Sequence, residues 1–458
     1  MKKKYIFITV ISVILIVLIG GTITYQAKHF NKGISIDGVD VGGLTAEQAA
    51  KKLQQAKFTN NVYLDGKLFV QGKASSSNYN KSDNEKIKQA LKDQFTVFPM
   101  HKDKNFSILK QNNQYRTSEL KNAVEQKLNN ENQSRKPSQD AYAELSDGQV
   151  KVINAQQGDR YNVKQMMKQY NKQLNNDSIK LKAVIDKPLS ETSQKVQNEK
   201  SKLEKLANAT VDYKVENQIY QLKASDMINS AKYKNGKYEI DSQNLKNKID
   251  QINNEKATLN KKFKFKTTSG KEIEVQGKTY GWALSTNLAE KSIINAFKNG
   301  TKELNAENDI YGVGYNENGT GYGVTSNDGI GDTYAELSLS DQHAWFYKDG
   351  KLVADVDVVT GDVKTKAETP KGVYYIMYKE SPSTLKGTHP DGSKYECKVT
   401  YWAQFTNDGC GFHDASWRTN WAKDAYLTEG SNGCANIKPA EMKKVYDALS
   451  VNEPVIVY

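Results

Sequence analysis

Hydrophobic and polar positions follow different periods along the chain, and each period predicts an element. The first pattern is unbroken. Residues 5–25 carry no charge, a run of 21 residues behind the basic start Met1-Lys2-Lys3-Lys4. That length matches the roughly 20 apolar residues a helix needs to span hydrocarbon. Lysines in front of it predict an N-terminus inside and the remaining chain outside. Residues 1–28 are therefore expected to form a short cytoplasmic tail and a transmembrane helix. A cleaved signal peptide is the competing reading, but the run is long for one and Gly20-Gly21-Thr22 makes a poor cleavage site.

Residues 33–44 alternate with period two, which predicts a strand and a turn. Thr45-Ala46-Glu47-Gln48 fits a capping box, and Ala49, Ala50 and Leu53 fall on one face of the helix it would open. The strand-to-helix pattern returns twice. Residues 150–153 lead to Gly158 and a helical stretch bearing Val163, Met166, Met167 and Tyr170. Residues 273–275 lead to Gly281 and a stretch bearing Leu288, Ile293, Ile294 and Phe297. The two glycines stand 123 residues apart, a domain-sized period that predicts two copies of one α+β module. Pro188 and the lysine-rich helical stretch after it (Val196, Leu203, Leu206) place the boundary near residue 189, with Asn235-Gly236 as a hairpin turn beyond it. The modules are thus 29–189 and 190–326, the second closing on the Gly/Asn-rich linker 316–323.

Beyond the linker the pattern becomes mostly β. Residues 333–339, 343–347, 351–360, 373–378, 401–405 and 455–458 read as strands, with Asp349-Gly350 as a hairpin turn. Helices are expected only at 439–449 and 420–426. The fold class is therefore multidomain: an N-terminal transmembrane helix, two α+β modules, and a mostly-β barrel or sandwich over 327–458.

Composition adjusts this picture in two ways. The net charge of +12 over 458 residues suits a polyanionic partner. For a chain placed outside the membrane that polyanion is a cell wall, and no nucleic acid is expected. The three cysteines, Cys397, Cys410 and Cys434, are too few for a disulfide framework. A Cys397–Cys410 bridge is arithmetically open, and two buried thiols are the alternative.

The candidate chemistry lies in Gly430-Ser431-Asn432-Gly433-Cys434-Ala435-Asn436, 21 residues after His413. Small neighbours leave the Cys434 sulfur accessible, and a nearby imidazole can take its proton, giving a thiolate–imidazolium pair. The N–H groups of Gly433 and Cys434 are candidate oxyanion donors. Tyr401, Trp402 and Trp417 are candidate cleft walls. No other Cys or His stands at metal-ligand spacing, so neither metal nor cofactor is expected.

This segment resembles the signature of the L,D-transpeptidases, the YkuD-type catalytic domain. There a histidine is followed about twenty residues later by Ser/Thr-His-Gly-Cys and, two residues on, Arg or Asn. Residues 337–346 resemble the family's opening strands. Val358-Val359-Thr360-Gly361 with Thr369-Pro370-Lys371-Gly372 resembles its V-x-T-G and T-P-x-G pair. The modules resemble the peptidoglycan-binding repeats that precede this domain in some Gram-positive members, from Gly38-Val39-Asp40-Val41-Gly42-Gly43-Leu44-Thr45 onward.

The resemblance implies Cys434 as nucleophile, His413 as general base, Ser431 orienting the imidazole, and Gly433 and Cys434 binding the oxyanion. It implies a donor tetrapeptide stem of peptidoglycan, an acceptor amine from a neighbouring stem, a 3→3 cross-link and inactivation by carbapenem-type β-lactams. Two positions depart from it. Asn432 stands where the family carries histidine, and cannot titrate. Asn436 replaces the arginine of many members, so the resemblance does not carry over a carboxylate contact at that position. Asp414 is a candidate assistant to His413, against which stands the rule that neighbours on a strand point to opposite faces. Water as acceptor would make the enzyme an L,D-carboxypeptidase. Loss of catalysis would leave a wall-binding surface protein, for which Asn432 is the argument.

Overall fold

The computed structural model describes residues 2–77, 79–108, 114–174, 176, 178–388 and 392–458, without the side chains of residues 2–12. Contacts divide the chain into two units, Met1–Ala141 with Asn154–Ser193, and Tyr142–Ile153 with Gln194–Tyr458.

The first unit opens on the helix Lys2–Gln26. Among the described residues no helix is long and apolar enough to cross a membrane. The transmembrane expectation for 1–28 therefore finds no support there, and residues 5–12 of the apolar run lie outside the described side chains. After it comes the helix Ala46–Gln55, opened by the expected capping box. Gln48 N–H donates to Thr45 Oγ1 and Thr45 N–H to Gln48 Oε1. Its buried face is Ala49, Ala50 and Leu53, which pack with Ile34, Ile36 and Ile87.

Each unit contains the same succession of elements. In the first, the helix Leu120–Gln133 is followed by Gly158, the helix Val163–Asn171 and the strand Ile179–Leu181, parallel to Val62–Leu64. In the second, the helix Gln243–Lys256 is followed by Gly281, the helix Thr286–Asn299 and the strand Glu303–Asn305, parallel to Thr210–Val215. A Cβ on Gly158 would stand 2.2 Å from Lys136 O, and one on Gly281 2.6 Å from Leu259 N. Both glycines thus let the chain cross the backbone that leaves the preceding helix. An asparagine near the end of that helix then clamps the residue before the next N-cap. Asn132 exchanges two hydrogen bonds with the backbone of Tyr161, and Asn253 does the same with Leu284.

The hairpin Tyr142–Ser146/Gln149–Ile153, which the sequence reading gave to the first module, pairs instead with the strand Ser230–Lys234 of the second unit. Leu145, Ala143 and Ala231 enter one core there with Leu203 and Ile249. Local alternation marks a strand but carries no information about its partner.

The C-terminal domain is built on a nine-stranded sheet. Its order runs Gly372–Tyr375, Pro454–Val457, Tyr334–Ser338, His343–Lys348, Lys351–Val359, Ala435–Ile437, Gly411–Asp414, Trp402–Gln404, Tyr378–Glu380. The first and last of these are joined in sequence only by Ile376 and Met377. Three Cα steps cover about 11 Å at most, so the two edges must come together and the sheet curls toward a barrel. Successive residues bond to opposite edges: Ile376 N–H to Glu453 O, and Met377 N–H to Gln404 O. The helix Pro439–Ala448 buries Met442 and Val445 against this sheet. The helix expected at 420–426 reduces to a short turn, Ala425–Leu427.

No clean break separates this domain from the module before it. Phe263, Phe265 and Val275 share a core with Val373, Tyr375, Met377 and Ile456. The buried Glu336 carboxylate accepts from Thr268 N–H and Oγ1 and from the Tyr458 hydroxyl.

Candidate functional site

The strands Gly411–Asp414 and Ala435–Ile437 are parallel neighbours, with Phe412 beside Ala435 and His413 beside Asn436. Parallel neighbours cannot be joined by a tight turn and need a crossover of a dozen or more residues. Residues 415–434 are that crossover, which is the physical reason for the spacing between His413 and Cys434. Residues in register share a face. Phe412 and Ala435 face the core, while His413 and Asn436 face a cleft that Cys434 also enters. The cleft holds about 580 Å³ of empty space, part of it open to solvent.

The turn before Cys434 is held from several sides. Ser431 N–H donates to Thr360 O, and Asp362 N–H to Ser431 O. The Thr369 hydroxyl accepts from Gly361 N–H at 3.1 Å and donates to Gly433 O at 2.7 Å. The two threonine–glycine motifs noted in the sequence are therefore physically tied to the cysteine turn. Asp362 accepts from the N–H groups of Gly430 and Thr365. Burial alone would raise its carboxyl, but these hydrogen bonds hold it below the usual aspartate range. Gly433 has φ 113°, and a Cβ there would stand 2.7 Å from Cys410 Sγ. Only glycine fits that position.

His413 is buried between Trp402 and Trp417, with both ring centroids 5.7 Å away. Its Nδ1 lies 2.9 Å from the carbonyl of Asp414 and so carries the proton. Asn436, with its amide oriented by its neighbours, donates to His413 Nε2 at 3.1 Å and accepts from Arg418 Nε and Nη2. Burial lowers the imidazole pKa below its ordinary value, and the Arg418 charge lowers it further. Burial likewise pushes the Cys434 thiol up to about 12, with the Cys410 sulfur adding to the rise. The thiol donates to Gly409 O at 3.7 Å. Both shifts disfavour a resting thiolate–imidazolium pair, although Cys434 itself is half-buried.

Several expected contacts are arranged differently. Ser431 does not orient the imidazole: its carbonyl serves Asp362, and its hydroxyl donates to Cys434 O at 2.6 Å and accepts from Gly433 N–H at 3.1 Å. That contact also engages the Gly433 N–H, one of the two expected oxyanion donors. The imidazole is held at Nε2 by the Asn436 amide and at Nδ1 by the backbone carbonyl of Asp414. The Asp414 carboxylate points away and accepts from Thr400 and Tyr401 N–H. Of the candidate walls, Trp417 lines the cleft. Trp402 is buried behind His413 and bonds Tyr378 through Nε1, and Tyr401 packs on Tyr446. The cleft is completed by Arg418 and by Leu385, Tyr395 and Cys397 of the hairpin Ser383–Thr388/Lys394–Val399. Asn432 hydrogen-bonds Tyr395. All three cysteines are free, with Cys410 buried and Cys397 half-buried.

A thiol and an imidazole share one cleft at the parallel strands of this curled sheet, an arrangement that can serve acyl transfer at sulfur. Residues 332–457 match the L,D-transpeptidase catalytic domain, YkuD. None of the curated proteins matches the chain. Among solved structures, a cysteine-to-serine mutant of the Enterococcus faecium L,D-transpeptidase is 30% identical. The match covers 56% of this chain and 98% of that one, with a TM-score of 0.44. The catalytic domain from the E. faecium enzyme, solved alone and also acylated by ertapenem, is 42% identical. It covers 28% of this chain and 97% of that one, with a TM-score of 0.26. On the family match, residues 332–457 form an L,D-transpeptidase catalytic domain of the YkuD type.

Proposed function

We propose that the chain cross-links peptidoglycan stems 3→3 through a thioester on Cys434. The observation that carries this reading is the shared cleft of Cys434, His413 and Asn436, with the cysteine turn tied down through Thr369. In the first step the sulfur attacks the carbonyl between the third and fourth residues of a donor tetrapeptide. His413 Nε2, released from Asn436, takes the thiol proton. The oxyanion faces the Cys434 N–H, a donor type worth about 3 kcal/mol in comparable sites. Collapse breaks the peptide bond, and the departing D-alanine amine receives the proton from His413. In the second step the side-chain amine of a neighbouring stem attacks the thioester. His413 takes its proton and returns it to sulfur, and the cross-link is released.

The substitution of Asn432 for histidine leaves His413 as the one titrating base of this scheme. A neutral resting pair is compatible with it, because proton transfer then accompanies attack. A carbapenem would enter as a donor mimic and stay as an adduct on Cys434. The modules are the parts that would hold glycan. The catalytic domain works on the outer face of the membrane, with the charge-free run 5–25 in the bilayer. The charge-free run behind three lysines and the exposed side chains of residues 13–19 support this location.

Purified full-length enzyme given disaccharide-tetrapeptides should release D-alanine and form dimers, and Cys434→Ala should form none. Retained cross-linking in that variant overturns the nucleophile assignment. D-alanine release with trimmed monomers and no dimer makes water the acceptor. After carbapenem exposure, peptide mass spectrometry should find one adduct, on the Cys434 peptide.

A further inference from the structure

The segment between the helix Asn84–Asp93 and the strand His101–Phe106 exposes Phe95, Val97, Phe98 and Met100, each 41–60% accessible. Single exposed apolar residues are ordinary, but four large ones within six positions mark a surface that meets something. The segment is braced. Asn31 N–H donates to Gln94 Oε1 at 2.8 Å, and its side-chain amide donates to Gln94 O and to Thr96 Oγ1. Met100 N–H closes the loop onto Asn31 Oδ1. Gln94 and Asn31 are themselves buried. Both ends of the loop are thus pinned to one residue, shortly after the helix Lys2–Gln26 ends. Tyr25 stacks on His29 at 3.9 Å across that junction.

The apolar loop and the apolar helix therefore emerge from the same brace. The helix exposes every side chain from Val13 to Ile19, so both features present hydrocarbon without a protein partner in this unit. Their nearby sequence neighbours are Lys28, Lys32, Lys92, His101, Lys102 and Lys104, against Asp93 and Asp103. An apolar tip flanked in sequence by an excess of cations complements a lipid surface, whose acyl region takes the tip while anionic headgroups meet the lysines. A protein partner would have to cover the loop and the helix together.

We propose that Phe95, Val97, Phe98 and Met100 insert into the headgroup–acyl boundary of an anionic bilayer, beside the point where the N-terminal helix leaves it. This rests on the reading that the charge-free run 5–25 lies in lipid. It adds a second contact, which fixes the first unit against the membrane instead of letting it swing on a single helix.

Two variants of the full chain separate the two readings. Leu15→Trp reports on the helix and Phe98→Trp on the loop, each read as the difference from the parent protein in phosphatidylglycerol vesicles with brominated acyl chains. Insertion predicts that the emission added by both tryptophans is blue-shifted and quenched by bromine. If Leu15→Trp is quenched and Phe98→Trp is not, the loop inference is overturned while the location reading stands. If neither is quenched, both fall.

Discussion

Desolvation disfavours the charged forms of both reacting groups, raising the Cys434 thiol to about 12 and holding His413 below the ordinary histidine value. Two consequences can be measured at single residues. Without substrate, alkylation of Cys434 by iodoacetamide should climb steadily between about pH 7 and pH 10, because the thiolate is the reactive form. A plateau across that range would reveal a preformed ion pair. The second concerns Arg418. Its positive charge disfavours protonated His413, so the acid limb of the activity profile should lie below the usual histidine pKa of about 6.5. Removing that charge in Arg418→Ala lets His413 protonate more readily, and the limb should move to higher pH. Arg418→Lys should keep it low. A limb that stays in place, or moves down, contradicts the assignment of His413 as the titrating base.

Between elements, one hydroxyl joins three segments. Thr369 links Gly361 N–H and Gly433 C=O, so Thr369→Val, which keeps the shape, strands two buried polar groups. The expected cost is roughly 2–4 kcal/mol. Carbapenem acylation of Cys434 should slow along with it, and Thr369→Ser should restore both. Unfolding curves with unchanged midpoints would show that the bridge is dispensable. Local features of this kind divide sharply in how far they can be read from sequence. The capping box at Thr45 and Gln48 and the buried face of its helix were legible, because both partners lie within a few positions. So were Cys434 and His413 as members of one cleft. The Asp414 carbonyl was not, because every residue has one and only strand geometry aims it at Nδ1. Trp402 and Trp417 looked equivalent in sequence. The register of Trp402 opposite His413 buries the first behind the imidazole, while the crossover leaves the second on the cleft. Likewise nothing in residues 142–153 names the strand Ser230–Lys234 as their partner.

For the whole molecule, the composition shift at the 316–323 linker suggested a separable catalytic domain, yet the core runs across it. Phe263 is fully buried, tilts against Tyr280, and belongs to the same cluster as Val373, Tyr375 and Ile456 of the curled sheet. Groups that share a core lose their support together, and substitutions within it are felt on both sides. Phe263→Ala should cost about 3–5 kcal/mol through lost burial and the cavity left behind. That loss should appear in both the module and the catalytic domain. Hydrogen exchange in urea can follow the helix Thr286–Asn299 and the strand Gly411–Asp414 within one sample. In the parent protein the two should lose protection at one midpoint, and in Phe263→Ala both midpoints should fall by the same amount. If the module alone loses protection while Gly411–Asp414 keeps it, the shared core is not cooperative, and the cleft is supported by the catalytic domain alone. If both move, the module is part of what holds His413 and Cys434 in register, over and above any glycan it binds.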